Sequence, residues 1–464
     1  MSHRTSPQGV LALSAATLAL FSYSALETAI SPALPSMMDF YGVPAAVIVW
    51  AFTALLLVGA VATPVIGRLS DVADTRWVLV GVLLAVSLGV LLSAVAPTIE
   101  LFITGQALQG IGLALIPLSV KLVSSLLPPN AAKIGNGMII TIATAATALG
   151  FLVSGPLLDL LGFRGLYWIT LAILLPSAVL ALFTPKIAAT AGSRIDFAGA
   201  FFLALAAGGT MLAIAGARSW ELTSPQELLT ITAAAIGVIG LIVVERRHEN
   251  PVVDFALMRT RPIAGACTVA FGVGFSTFSA YVLLPILITM PTEAGGLGGT
   301  ATTTGLLLLP LGALGAIAAP FAGHLERLVG ARIAMLIGTG TIAASSLLLA
   351  VGFQSIGLIV VAMVLIGIGI GLALTQLLNV AISAAPSDRQ ASVSGLSFVI
   401  KSISGSLGAL IGGLVISAVN YAPSGFTTAF VIAAVVSVLT MGAAFMLPRS
   451  NLAVTPSREP VLVA

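Results

Sequence analysis

One glutamate stands alone in a long apolar stretch. A hydrophobic run begins near Val10, and within "SALETAISPALPSM" (Ser24–Met37) Glu27 is the single charged side chain. A carboxylate at membrane depth costs about 2.5–3.5 kcal/mol on insertion scales, and ionisable groups kept there are functional by default. Pro32 and Pro35 follow, and each removes a helix hydrogen bond. Loss of hydration favours the neutral form of a carboxyl. Glu27 is therefore expected to exchange a proton, in competition with a bound substrate. The alternative is a glutamate hydrogen-bonded to a neighbouring helix for packing alone. Tyr23, Glu27 and Ser31 are spaced four apart and share one helix face.

Other polar side chains inside apolar runs come in pairs. Gln106 and Gln109, and again Gln376 and Asn379, stand at i,i+3 spacing. Both pairs are expected to line a central cavity, or else to make interhelical hydrogen bonds worth about 0.6 kcal/mol each. Lys401 is the one cation in the middle of an apolar run, among Ser402, Ser404, Gly405 and Gly408. It either pairs with an acid, snorkels, or contacts substrate. Phe271, Phe275 and Phe278 follow helical spacing with Tyr281 next, a stripe that suits core packing or a wall against a drug. Tyr23, Ser31, Gln106, Gln109, Phe275, Phe278, Gln376, Asn379 and Lys401 form the expected substrate-binding set. Gly67, Asp71 and Arg76 lie where a loop meets helix ends. A carboxylate there favours a helix N-terminus, and the three are expected to latch one face of the bundle, Arg76 reaching an acid across it. Gly155 and Pro156 are expected to bend their helix.

These residues need long helices to position them. The chain has 464 residues, 58% hydrophobic and 8% charged, against about 25% charged for a soluble domain. Apolar runs fall near 10–37, 45–67, 77–96, 99–123, 134–158, 164–184, 196–217, 226–244, 262–290, 301–324, 332–353, 356–384, 390–418 and 426–447. Each approaches the ~20 residues of a helical crossing, and none alternates as a barrel strand would. The expected fold is all-α, a polytopic membrane protein of about fourteen transmembrane helices. The first run is too long for the h-region of a signal peptide and is expected to be a retained span. With the N-terminus inside and spans alternating, all Lys and Arg lie inside except Arg164, Arg218 and the intramembrane Lys401. The positive-inside rule then places both termini in the cytoplasm, in a cytoplasmic (inner) membrane.

Several function classes are excluded. No basic cluster with interleaved aromatics suggests nucleic acid. A single cysteine, Cys267, rules out an internal disulfide framework. His3, His248 and His324 are too scattered for a metal site. No nucleophile motif points to an enzyme.

The chain also echoes itself. "GRLSDVADTR" (Gly67–Arg76) and "GHLERLVGAR" (Gly323–Arg332) share Gly-x-Leu and a closing Arg at the same spacing. Each follows the second span of a set of six, and parallel half-repeats of six helices are one plan for transporters. The expected units are an N-terminal bundle (1–184), two inserted helices with flanking loops (185–261) and a C-terminal bundle (262–464), a 6+2+6 arrangement.

These motifs resemble the major facilitator superfamily, and within it the fourteen-helix drug:proton antiporter branch. Gly67, Leu69, Asp71 and Arg76 fit the family's first-loop signature, with Val72 where an arginine is usual and Asp74 where a glycine is usual. Glu27, Thr28, Ala33, Leu34 and Pro35 resemble the first-helix motif, with Glu for Asp. Gln109, Gly110 and Gly112 fit the fourth-helix motif, whose arginine is replaced by Gln106. Gly155 and Pro156 fit the antiporter motif of the fifth helix, with Asp159 for a glycine. The loop "ENPVVDFALMRTR" resembles the segment after the inserted pair. The resemblance implies a major facilitator fold. It also implies a secondary active exporter of neutral or monocationic amphipathic compounds, drugs or natural products, in exchange for protons. A proton-independent facilitator, or a lipid or metabolite transporter on the same fold, is the alternative. No cofactor is implied beyond the proton gradient. The partners are a small-molecule substrate, protons and the bilayer; a monomer is expected, with a dimer face left open.

Overall fold

The computed structural model describes residues 7–126, 129–187, 196–217, 220–221, 223–247, 255–384 and 390–447. Among them the secondary structure is helical throughout. Thirteen helices are long and apolar enough to cross a membrane. They are α1 (Pro7–Tyr41), α2 (Ala45–Val72), α3 (Thr75–Val95), α4 (Ile99–Leu126), α5 (Pro129–Leu182), α6 (Phe197–Gly216) and α7 (Pro225–Glu245). After a single turn at Phe255–Met258 come α8 (Arg261–Thr289), α9 (Ala301–Val329), α10 (Ala331–Gly352), α11 (Ile356–Ala384), α12 (Gln390–Ala418) and α13 (Pro423–Met441).

Local sequence explains five of the helix starts. Asp74, Thr98, Asp196, Ser224 and Thr300 each accept a hydrogen bond from a backbone N–H in the first turn of α3, α4, α6, α7 and α9, the usual work of an N-cap. The helix α1 runs on through Pro32 and Pro35. The apolar runs near 134–158 and 164–184 are joined in α5, whose one non-helical residue is Gly162, at φ 65° and ψ 175°. A glycine has no Cβ to forbid that conformation.

The packing repeats itself. In the first half α1 lies on α5, α2 on α4, and α3 on both α4 and α5. In the second half α8 lies on α12, α9 on α11, and α10 on both α11 and α13. The halves meet along two seams, α2 against α12 and α5 against α9, with α1 touching α8 between them. The helix α8 is buried along most of its length. The pair α6–α7 packs on itself, and α6 lies against α2 and α12. A small apolar cluster there joins Leu203 and Leu241 to Ala60, Cys267, Leu396 and Val399.

The ends of the helices differ in charge. The end of α5 returns to the start of α3, with Arg76 donating to the Leu182 carbonyl and Ile187 N to Asp74, so that Arg68, Arg76, Lys121, Lys186, Arg246, Arg247, Arg259, Arg261, Arg327 and Arg332 fall at one face, the basic face; Arg164 donates to the Ala96 carbonyl at the opposite one. Arg4, Arg194, Arg218, Arg389, Arg449 and Arg458, with His3, His248 and the loop residues Glu249–Asp254, lie outside the described residues.

Candidate functional site

Glu27 sits on α1 beside the seam with α8. It is half-buried, and among the described residues no hydrogen bond or ion pair engages its carboxylate. Lys401, also half-buried, stands on α12 in the other half. The two are not within the 4.0 Å of an ion pair. Tyr23 stands one turn before it on α1, and Tyr281 of α8 meets α1 one turn beyond it, at Ser31. The Tyr23 ring packs where a Cβ on Gly112 would fall, and its hydroxyl is buried without a hydrogen-bond partner.

One turn further along α1, Ser31 donates to the backbone carbonyl of Tyr281 at 2.6 Å. Aromatic rings close the space around this contact. Tyr281 lies edge-on to Phe151, from the first half, and Phe278, with centroids 5.4 and 5.2 Å away. Phe52, also from the first half, meets Phe278 at 5.8 Å. Phe275 is stacked on Phe271 at 6.3 Å, and both Phe275 and Phe278 are buried. Lys401 has its ammonium 6.0 Å from the Phe398 ring and lines a narrow crevice with Leu374, Leu377 and Ser397. Its backbone carbonyl faces Gly274, where any Cβ would collide with it.

The amides stand elsewhere. Gln106 is 0% exposed and donates to the Tyr167 hydroxyl at 2.7 Å. Gln109 is 1% exposed and donates to Ser93 Oγ at 2.9 Å. Gln376 donates to the Ala322 carbonyl at 2.9 Å, and Asn379 to Glu326 Oε2 at 2.9 Å. The structure thus spends these four amides on interhelical bonds rather than gathering them around Glu27.

The loop residues also find partners within their own half. Asp71 accepts from Lys121 Nζ at 2.7 Å, with Arg68 at 4.0 Å, and Lys121 donates to the Ser70 carbonyl as well. Arg76 does not reach across the bundle. It donates to the Leu182 carbonyl at 3.5 Å, at the end of α5, and stacks on Trp77 at 4.9 Å. Arg332, its counterpart in the echo, donates to the Leu447 carbonyl at 2.8 and 2.5 Å, just past α13. The two arginines therefore close the last helix of their own half, where a cation meets unpaired carbonyls and the negative end of the helix dipole. Gly67 stands in open space. Gly155 belongs to a helix crossing: a Cβ there would land on Thr302 Cα of α9, and Pro156 beside it faces outward. The break in α5 is at Gly162 instead.

Sequence reasoning missed Lys121, Tyr167, Phe52 and Phe151. Lys121 carried a signal, since it is a cation at the same end of the bundle as Asp71. The aromatic pairings, by contrast, depend on tertiary structure.

A set of hydrogen bonds between the halves lies away from the basic face. Besides Ser31–Tyr281, Ala45 N donates to Tyr421 Oη at 2.8 Å and Ala46 N to Ser417 Oγ at 3.0 Å. Ser406 Oγ donates to the Thr53 carbonyl at 3.3 Å, and Thr302 Oγ1 to Asp159 Oδ2 at 2.7 Å. The bundle is closed on that side.

A family model described as Major Facilitator Superfamily matches residues 16–409 and again 266–462. The chain belongs to the major facilitator superfamily. It is 30% identical over 422 residues to "Multidrug resistance protein Stp" of Mycobacterium tuberculosis, covering 88% of this chain and 76% of that one. It is 26% identical over 329 residues to "Lincomycin resistance protein LmrB" of Listeria monocytogenes, covering 70% and 68%. Among solved structures, the nucleoside transporter NupG has a TM-score of 0.64 at 14% identity, covering 95% of this chain and 98% of its own. A bacterial homologue of the human lysosomal transporter Spinster, inward-facing and unoccupied, has 0.62 at 15%, covering 96% and 97%. Such identities speak for the fold alone. These proteins are transporters, not enzymes, and the many apolar helices make this superfamily member a multi-pass membrane protein.

Proposed function

We propose that this superfamily member is a secondary active exporter that moves neutral or monocationic amphipathic compounds out in exchange for protons. The observation that carries the reading is Glu27, a carboxylate at the seam between the halves that no hydrogen bond or ion pair engages among the described residues. A proton or a substrate neutralises it, and the halves rock about it to expose it to each side in turn. The printed names of the relatives, multidrug and lincomycin resistance, support drugs or antibiotics as cargo.

The topology follows the same reading. The membrane-spanning part of α5, Thr141–Leu182, has 42 residues, about twice what one crossing needs. Divided at Gly162 it gives fourteen crossings in a 6+2+6 plan. The bundles are then 1–184 and 262–464, with the inserted helices in 185–261. The basic face is the cytoplasmic one by the positive-inside rule, with both termini there.

One proton entering at 100 mV gains about 2.3 kcal/mol, and one pH unit about 1.4 kcal/mol. Together they sustain a gradient of roughly five hundredfold for a neutral compound. A monocation exchanged one-for-one moves no net charge and draws on the pH term alone. A second reading, a proton-independent facilitator, draws on Gln106, which stands where the family usually has an arginine and is bonded to Tyr167.

The test is inverted vesicles holding a pH-sensitive dye, with native protein compared to Glu27→Gln. Lipophilic amines and neutral antibiotics are added one at a time. Collapse of the pH gradient by a compound, abolished in Glu27→Gln, supports exchange. Transport without proton movement, unchanged in the variant, replaces it with the facilitator.

A further inference from the structure

A groove runs along the outside of the first half between α2 and α3. Its floor is Ile66, Val78 and Val82, all buried, and its rim includes Leu69, Trp77 and Gly81, all exposed. Its volume is about 400 Å³, the size of a small-molecule site. Gly81 keeps it wide, since a Cβ there would meet nothing within 4 Å. The rim continues a stripe of exposed positions on α3, Trp77, Gly81, Leu84, Leu88 and Leu91, at helical spacing. On an apolar helix of crossing length such a face meets lipid. The groove therefore opens to hydrocarbon.

One end of the groove reaches the basic face, at the turn from α2 to α3, and there the charges are unequally spent. Asp71 accepts from Lys121 at 2.7 Å, with Arg68 at 4.0 Å. Asp74 Oδ1 accepts from the backbone N–H of Arg76 at 3.0 Å and of Ile187 at 3.3 Å. Arg76 is different. Among the described residues its guanidinium makes one hydrogen bond, to the Leu182 carbonyl at 3.5 Å, and no ion pair. It lies 4.9 Å over the ring of Trp77, on the rim of the groove, and the exposed Lys186 is next in the chain to Ile187. Partnered acids beside a guanidinium with donors to spare favour an anion, and the groove favours one with an apolar tail. We propose that the groove seats an acyl chain of an anionic phospholipid, whose phosphate takes the spare donors of Arg76. A guanidinium fork matches phosphate oxygens, and basic pockets at the end of spanning helices hold anionic head groups. A free phosphate gains nothing from the apolar walls, and a lipophilic cation is repelled by Arg76. The site is independent of what the chain transports.

Trp77 reports on its own groove. With Trp50, Trp168 and Trp220 replaced by Phe, it is the one tryptophan left in the full chain. The protein is placed in vesicles that mix phosphatidylcholine and phosphatidylglycerol, one or the other carrying brominated acyl chains that quench tryptophan on contact. Quenching against composition gives the relative affinity of the two lipids. At Trp77, phosphatidylglycerol is expected to bind about fivefold tighter, the value of one basic residue near an anionic surface. Arg76→Gln is expected to bring the ratio below about twofold, and Arg76→Lys to keep a preference. Gly81→Leu fills the groove with Arg76 still in place and is expected to lower the ratio as well. Since Gly81 faces open space, that variant with the native ratio decides the matter if Arg76→Gln does not fold. A chain keeping only Trp168, exposed on α5 beyond Gly162, is expected to show no such preference. Equal affinities at Trp77, the same preference at Trp168, or a ratio unchanged by Arg76→Gln or by Gly81→Leu overturns the proposal. A brominated alkyl trimethylammonium that quenches Trp77 more strongly than phosphatidylglycerol also overturns it, and makes the groove an entry for cationic cargo.

Discussion

The Ser31 hydroxyl and the Tyr281 carbonyl, 2.6 Å apart, tie the two halves of the bundle together one helical turn from Glu27. A bundle that opens on that side has to break this bond. Ser31→Ala removes a bond worth about 0.6 kcal/mol, so the open population should rise about threefold. The readout is the labelling rate of a cysteine placed at the fully buried Ala45, in a Cys267→Ser background. An unchanged rate means the bond does not hold the closed side.

Gly155 is the matching contact on the second seam. Gly155→Ala drives a methyl into Thr302 Cα on α9, and overpacking of this kind costs typically 1–3 kcal/mol. Because the clash lies between halves, labelling at Ala45 should increase. Gly110→Ala, which clashes with the Leu55 carbonyl inside the first half, should lower the thermal midpoint without raising that labelling.

Asp71 and Lys121 share their ion pair within the first half, at about a quarter to a third exposure of each side chain (32% and 24%). A pair so exposed is worth about 0.2–1 kcal/mol. Asp71→Asn and Lys121→Met are each expected to slow transport, and the double variant to be no worse than the poorer single. A double-mutant cycle on the initial rate checks it; additive losses mean that the two act on different steps.

Gln106→Leu should reveal itself in stability rather than in choice of substrate. It removes the bond to Tyr167 and leaves that hydroxyl buried and unpaired, at about 1–3 kcal/mol. The expected outcome is a lower thermal midpoint with an unchanged ranking of transported compounds. A changed ranking would return Gln106 to the cargo site.

Much of this was readable in the residues, for physical reasons. Apolar runs of crossing length mark helices because the bilayer offers the backbone no partners. Glu27 stood out because nothing else charged shared its run. The echo between Gly67–Arg76 and Gly323–Arg332 reappears as two arginines, each capping the last helix of its half. At the same turn Asp74 caps α3, whereas Gly330 turns the chain with φ 84° before α10. Less was legible where partners are distant in the chain. Gln106 and Tyr167 are 61 residues apart, and i,i+3 spacing says that two amides share a face without saying which neighbour they meet. Lys401 was visible as a buried cation, but its relation to Glu27 belongs to the packing of α1 and α12 around α8.

The inserted pair gives the molecule a handedness toward the lipid. Of the two seams, α6 lies over the one between α2 and α12, sealed by Leu203 against Ala60, Leu396 and Val399. Among the described residues, the seam between α5 and α9 has no comparable cover from α6 or α7. A compound dissolved in the bilayer thus meets a doubled wall on one flank and, on the other, a single helix-on-helix seam held where Gly155 meets Thr302.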